Sequence, residues 1–176
     1  DGYLNYYMKN ASKVSVTDVV YSIDTVGTIS NEINETAKKE NKLSSNTLSS
    51  ISGQINRFVK DYDANQFTDN YVFLNNINSE IAQNVNLNAL TELSNKVDRA
   101  ENNNTFHKIT SSKDGVIVYE MDGFENYTVD DVVSSGIDYT SYKKTHLFTN
   151  TQVKKNDPVF KCVDSENWNV IVPITE

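Results

Sequence analysis

Residues 153–163, V-K-K-N-D-P-V-F-K-C-V, restate residues 14–24, V-S-V-T-D-V-V-Y-S-I-D: both carry V-x-x-x-D-x-V, then an aromatic (Phe160, Tyr21) and an apolar residue (Cys162, Ile23). Such a pattern fits two short strands joined by a tight turn. A second match precedes each copy, D-G-Y-L-N-Y from Asp1 and D-G-V-I-V-Y from Asp114. The chain therefore holds an internal repeat whose half-units lie at its two ends. A domain built from both ends turns whatever lies between Thr25 and Lys113 into an insertion. The D-G match has an offset of 113 (114 minus 1) and the V-x-x-x-D match one of 139 (153 minus 14), so the second half holds 26 extra residues, mostly between Met121 and Gln152.

The ends read as strands. Residues 3–8, 14–16 and 19–23 alternate with polar turns, and so do 108–110, 115–119 and 160–163, followed by a strand at 168–174. Turns this closely spaced suggest a compact sandwich or barrel. Within the extra stretch, Thr128 caps a short helix near residues 129–134 that Gly136 ends, with acids in its first turn. The remainder of residues 122–152 carries no assignable pattern.

Gly27 opens a different composition, rich in Asn, Ser, Glu and Lys with apolar residues at helical spacing. The outgoing arm carries Ile29, Ile33 and Ala37, then Leu48, Ile51, Ile55, Phe58 and Val59; the returning arm carries Phe67, Tyr71, Leu74, Ile77, Ile81, Val85, Leu87, Leu90, Leu93, Val97 and Ala100. One narrow stripe on a polar helix predicts a two-helix seam. The turn cluster Asp61, Tyr62, Asp63, Ala64 and Asn65 lies near the middle, with Asn65 as N-cap of the returning helix. Equal arms about one turn make an antiparallel hairpin, each arm of about 35 residues reaching ~50 Å. Residues 44–47 and 83–86 are poor helix at similar distances from the turn. They predict a break in both arms, facing each other, at which the hairpin bends or, alternatively, folds back into a four-helix bundle. As an insertion, the whole helical part adds to the cost of folding only logarithmically with its length.

Two strand-rich halves with these V-x-x-x-D-x-V motifs, separated by a helical hairpin, resemble the barrel-sandwich (lipoyl-like) domain of HlyD-type membrane fusion proteins, the periplasmic adaptor subunits. The resemblance spans the chain: residues 1–25 plus 106–165 as the sandwich, 28–103 as the hairpin, and 166–176 as the start of a following β-domain. D-G-V-I-V-Y, N-D-P-V-F-K-C-V-D and N-W-N-V-I-V-P-I are its most specific pieces. Where the family usually has Gly at tight turns, this chain has Ala11, Thr17 and Asn156; Asn tolerates a positive φ and Thr does so poorly.

The resemblance implies an α+β adaptor of an export or efflux system. One end would be held by a membrane transporter, of the ABC type or similar, the sandwich domains would form a homo-oligomeric ring, and the hairpin would reach an outer component through Tyr62, Asp63, Ala64 and Asn65. It implies an extracytoplasmic protein, anchored in the membrane through a segment outside this chain, and a fragment of something longer. The alternative is a structural cell-surface or assembly protein whose helical rod zips onto a second copy. A lipoyl or biotinyl carrier shares the sandwich, but the helical insertion stands where its modifiable Lys would be.

Chemistry has few candidates, and neither an enzyme nor a cofactor or metal site is expected. His107 and His146 are the two histidines, with no Cys or second His at ligand spacing. Asp130 and Asp131, and Asp61 and Asp63, read as solvated caps and turns rather than acid–base pairs. Cys162 fills the slot of Ile23 and reads as a buried structural thiol. A formal net charge of -8 argues against a nucleic-acid partner. No apolar run is long enough to span a bilayer.

Overall fold

The computed structural model describes residues 1–39, 43–63, 67–136, 140 and 142–172. Among these residues it is an α+β fold with five helices and antiparallel sheets. Strands β1 (Gly2–Tyr6), β2 (Lys13–Val14) and β3 (Val19–Asp24) precede helices α1 (Thr28–Lys39), α2 (Ser45–Asp61), α3 (Phe67–Glu92) and α4 (Ser94–Asn102). Then follow β4 (Phe106–Thr110), β5 (Gly115–Val118), β6 (Glu120–Met121), helix α5 (Val129–Ser135), β7 (Thr145–His146), β8 (Thr151–Val153) and β9 (Lys161–Val163). The described strands form three sheets, ordered β4-β3-β1-β8, β2-β5-β9 and β6-β7, none closed into a barrel.

Both larger sheets mix strands from the two ends of the chain, and their registers repeat. Gly2 faces Val153 and Gly115 faces Val14. Tyr3, Leu4 and Asn5 face Asp24, Ile23 and Ser22, just as Val116, Ile117 and Val118 face Val163, Cys162 and Lys161. Every pair maps onto its counterpart through the two offsets of the repeat, so the halves are interlocked about a pseudo-two-fold axis.

The motif residues play matching parts in both halves. Asp1 Oδ1 accepts the Lys155 amide at 2.7 Å, and Asp114 Oδ1 accepts that of Val16 at 2.8 Å, so each Asp ties down the other half's turn. Asp18 closes its turn on the Ser15 amide at 2.8 Å and Asp157 closes the copy on Lys154 at 2.8 Å. The preceding residues, Thr17 and Asn156, have φ of 79° and 74°, and Ala11 has 59°. These are the three positions where the sequence lacks the expected glycine, and the left-handed turns form regardless. Gly2 and Gly115 are required by close approach: a Cβ would stand 2.7 Å from the Asp24 carbonyl oxygen at the first and 2.6 Å from that of Val163 at the second.

Between the sheets lies a core of Leu4, Tyr6, Val14, Val20, Ile117 and Tyr119. Tyr6 and Tyr119, equivalent in the repeat, stack with ring centroids 3.8 Å apart. Their hydroxyls donate to the Val159 and Met8 carbonyls. Burial pushes both phenols far above their ordinary range. Alternation along β1 sends Tyr7 the other way, into a second core of Ile29, Ile33, Ala89, Leu90, Val97 and Phe106, where burial raises it to about 12.

The outgoing arm breaks where expected, with Ser44 capping α2 through the Thr47 amide at 3.1 Å. The returning arm breaks elsewhere, since α3 runs unbroken through residues 83–86 and the interruption falls at Leu93, between α3 and α4. Polar side chains weaken a helix when they compete for its backbone, and here they are engaged across the fold instead. Gln83 accepts the Asn10 amide at 3.2 Å, Asn84 accepts that of Ser44 at 3.4 Å, and Asn86 donates to the Tyr6 carbonyl at 3.1 Å. The two soft spots do face each other, as the Ser44–Asn84 bond shows.

Two further expectations differ from the fold. Residues 168–172 form no strand: Trp168 is 79 % exposed and no described strand pairs with the segment; residues 173 and 174 lie outside the described residues. Cys162 is half-buried rather than buried, because β9 is an edge strand. The excursion holds β7, which pairs with β6 just ahead of it, and α5, whose Thr128 and Asp131 form the capping box the sequence suggests.

Candidate functional site

A site of chemistry would be built from clustered polar and titratable side chains, and some of those singled out in the sequence have structural partners. Asp131 accepts from the Thr128 amide at 2.8 Å and from its hydroxyl at 2.6 Å, and these bonds hold its carboxyl below the usual range; it is a helix cap. His107 is exposed on β4, and His146 lies 3.3 Å from Glu120 on the neighbouring strand. Among the described residues no group of three or more His, Cys, Asp or Glu side chains could hold a metal. A polar cleft of about 480 Å³ opens between the helices and the β5–β7 region, lined in part by Lys9, Glu80, Gln83, Tyr119, Glu120 and Lys144. Lys144 and Glu120 are already paired at 2.9 Å on its β6–β7 side.

The helices offer a surface of another kind. Phe58 of α2 stacks on Phe73 of α3 at 4.1 Å, Gln54 donates to Glu80, and Ser44 bonds Asn84, so the partner number rises as the first falls and α2 and α3 run antiparallel. With about 3.6 residues per turn, the seam residues Ile51 and Phe58 lie on one stripe of α2. Leu48, Ile55 and Val59 lie rotated from it in one sense. On α3, Tyr71 and Leu74 are rotated in that same sense from Phe73 and Ile77. In an antiparallel pair, equal senses of rotation lead to the same side. Leu48 (51 % exposed), Ile55 (43 %), Val59 (69 %), Tyr71 (58 %) and Leu74 (53 %) thus share one face. The opposite side carries a groove of about 320 Å³ lined by Gln54, Arg57, Asp69, Val72, Phe73 and Asn76, which is polar at its rim.

Of the four residues expected at the tip, Tyr62 and Asp63 follow the end of α2 and are exposed. The Tyr62 ring packs edge-on against Phe58 at 5.6 Å. Ala64 and Asn65, including the N-cap expected at Asn65, lie outside the described residues. The exposed face is hidden in the sequence because its members read as part of the seam. One signal could have separated them. Leu48, Ile51, Ile55, Phe58, Val59 and Tyr62 together cover an arc wider than one partner helix can bury.

Comparison with known proteins yields no matching family model, no similar curated protein and no similar solved structure. Among the described residues no helix is long and apolar enough to cross a membrane.

Proposed function

We propose that the chain is the adaptor, or membrane fusion, subunit of an export or efflux system, a barrel-sandwich domain split by an antiparallel helical hairpin that carries contact with an outer component. The observation that carries this reading is the apolar face of Leu48, Ile55, Val59, Tyr71 and Leu74 on a helical pair inserted between two interlocked half-repeats. Exposed apolar side chains grouped on one face suit a docking surface better than solvent. Pairing of both outgoing helices with α3 favours the hairpin over a four-helix bundle. In this reading the sandwich sits outside the cytoplasm beside a transporter, in a homo-oligomeric ring, held by an anchor outside this chain.

A second reading has its own support, because Leu48, Ile55, Val59 and Tyr62 recur at intervals of seven, four and three, the spacing of a face that zips onto another helix. That face would then join copies of this chain into a structural rod. A photo-crosslinking residue at position 59, introduced in the source cell, separates the two. Adducts to a distinct envelope or transporter protein are expected, whereas adducts to a second copy alone would replace the adaptor with the rod.

A further inference from the structure

Strands can be counted off against the repeat. β1 corresponds to β5, β2 to β8 and β3 to β9, while β4 has no counterpart. β3 accordingly has a strand on each side, and among the described residues β9 pairs with β5 alone. β4 is seated on β3 by the pairs Tyr21↔Ile109, Ser22↔Lys108, Ile23↔His107 and Asp24↔Phe106. Its turn is pinned by the Thr17 amide to the Ser111 carbonyl at 3.0 Å, and by the Ser111 amide to the Asp18 carbonyl at 2.9 Å. The copies of these two anchor points are the Asn156 amide and the Asp157 carbonyl. Asn156 has the same left-handed backbone as Thr17, yet among the described residues neither group has a backbone partner. The open edge also shows in burial: Val20 is fully buried while its equivalent Val159 is half-buried, and Val163 is 46 % exposed.

We propose that the free edge of β9 accepts one more antiparallel strand, patterned like β4 and entering Asp1 from its N-terminal side. This inference stands independently of the adaptor reading. β4 runs through the turn at residues 111–113 into Asp114, and Asp114 holds the Val16 amide as Asp1 holds that of Lys155. A strand that enters Asp1 by an equivalent turn is carried by the same symmetry onto β9, opposite Phe160, Lys161, Cys162 and Val163. It would meet Asn156 and Asp157 with its turn, cover Val159, and remove an edge that otherwise invites pairing with foreign chains. The occupant so defined is an extended segment of about five residues continuous with Asp1, with an apolar residue where β4 has Phe106 and Ile109. A strand lent by another protein would use the same backbone groups.

The test grafts a copy of residues 105–113 directly ahead of Asp1, with a control carrying the same residues in scrambled order. Amide hydrogen exchange at Cys162, whose N–H faces the open edge while those of Lys161 and Val163 face β5, is expected to slow by about tenfold or more relative to the control, with a higher Tm. Equal exchange and equal Tm in graft and control would overturn the proposal. A further comparison adds the free peptide of residues 105–113 to the ungrafted chain. If it protects β9 while the graft does not, the link to Asp1 is wrong and the edge is one for strands supplied by a partner.

Discussion

At its sheet end the helical segment buries Ile29, Ile33, Ala89, Leu90 and Val97 against Phe106 of β4, whereas at its far end α2 buries no apolar side chain completely and leaves Leu48, Ile55 and Val59 largely in solvent. The sheet end is also stitched by polar contacts. Asp24 accepts the Gly27 and Ser30 amides at 2.8 and 2.9 Å, fixing the start of α1, and Asn5 donates to the Ser30 hydroxyl at 3.1 Å. One segment thus contains a proximal part that shares a core with the strands and a distal part held by a single helix–helix seam. Local stability follows the density of buried contacts, so the two parts should open separately. An insertion of this kind is more than a long loop, since removing all of it would strip the cover from Phe106, Asn5 and Asp24.

The largest effect that can separate the two parts comes from Phe106, 1 % exposed and set between β4 and the helices. Phe106→Ala should cost about 3–5 kcal/mol, the range for emptying a buried aromatic site. Denaturant unfolding followed by circular dichroism should show strand and helix signals lost together at a lower midpoint. If helical signal persists after the strands have melted, the proximal helices do not share the strands' core.

Alkaline pH acts on the same part through three buried tyrosines. Burial lifts Tyr7 to about 12, and Tyr6 and Tyr119 further, above the value of about 10 expected when unfolded. For a group whose folded pKa is raised, the contribution to stability is complete below the unfolded value and is lost as pH rises through the folded one. Tm should therefore hold up to about pH 10 and fall steadily from there toward about pH 12. A flat Tm across that window would mean that the phenols reach water in the folded state.

The D-G and V-x-x-x-D motifs were legible as a repeat because each residue type in them does one local job, with Asp holding an amide, Gly letting two strands approach and Val pairing. The registers of one half recur in the other through the same offsets. The helices were legible from periodicity, and the break near Ser44 from the poor helix propensity of residues 44–47. What periodicity could not show is which of two adjoining stripes on α2 meets α3, since Leu48 and Ile51 are equally apolar and only the partner's position decides between them. Nor could propensity foresee that Gln83, Asn84 and Asn86 would turn their polar groups toward Asn10, Ser44 and Tyr6 and leave α3 intact. Residues 168–172 read as a strand from composition, but a strand exists only with a neighbour, and among the described residues none pairs with it. Tyr62 and Asp63 follow the end of α2, while the exposed apolar face lies along the two helices, where it is a property of their pairing.

The smallest effect is expected at that face. Val59 and Leu74 are 69 % and 53 % exposed, on neighbouring helices and the same side. The double change Val59→Ser, Leu74→Ser removes almost no buried area, so unfolding free energy should move by less than about 0.5 kcal/mol, as for ordinary surface substitutions. Set against the loss at Phe106, that near-silence would show that the distal face contributes little to the fold and is available for a partner. A cost of several kcal/mol would mean instead that these side chains are covered in solution. If only a second copy can supply the cover, Tm of the unaltered chain would then rise with protein concentration, and the self-associating rod would displace the adaptor as the reading of this surface.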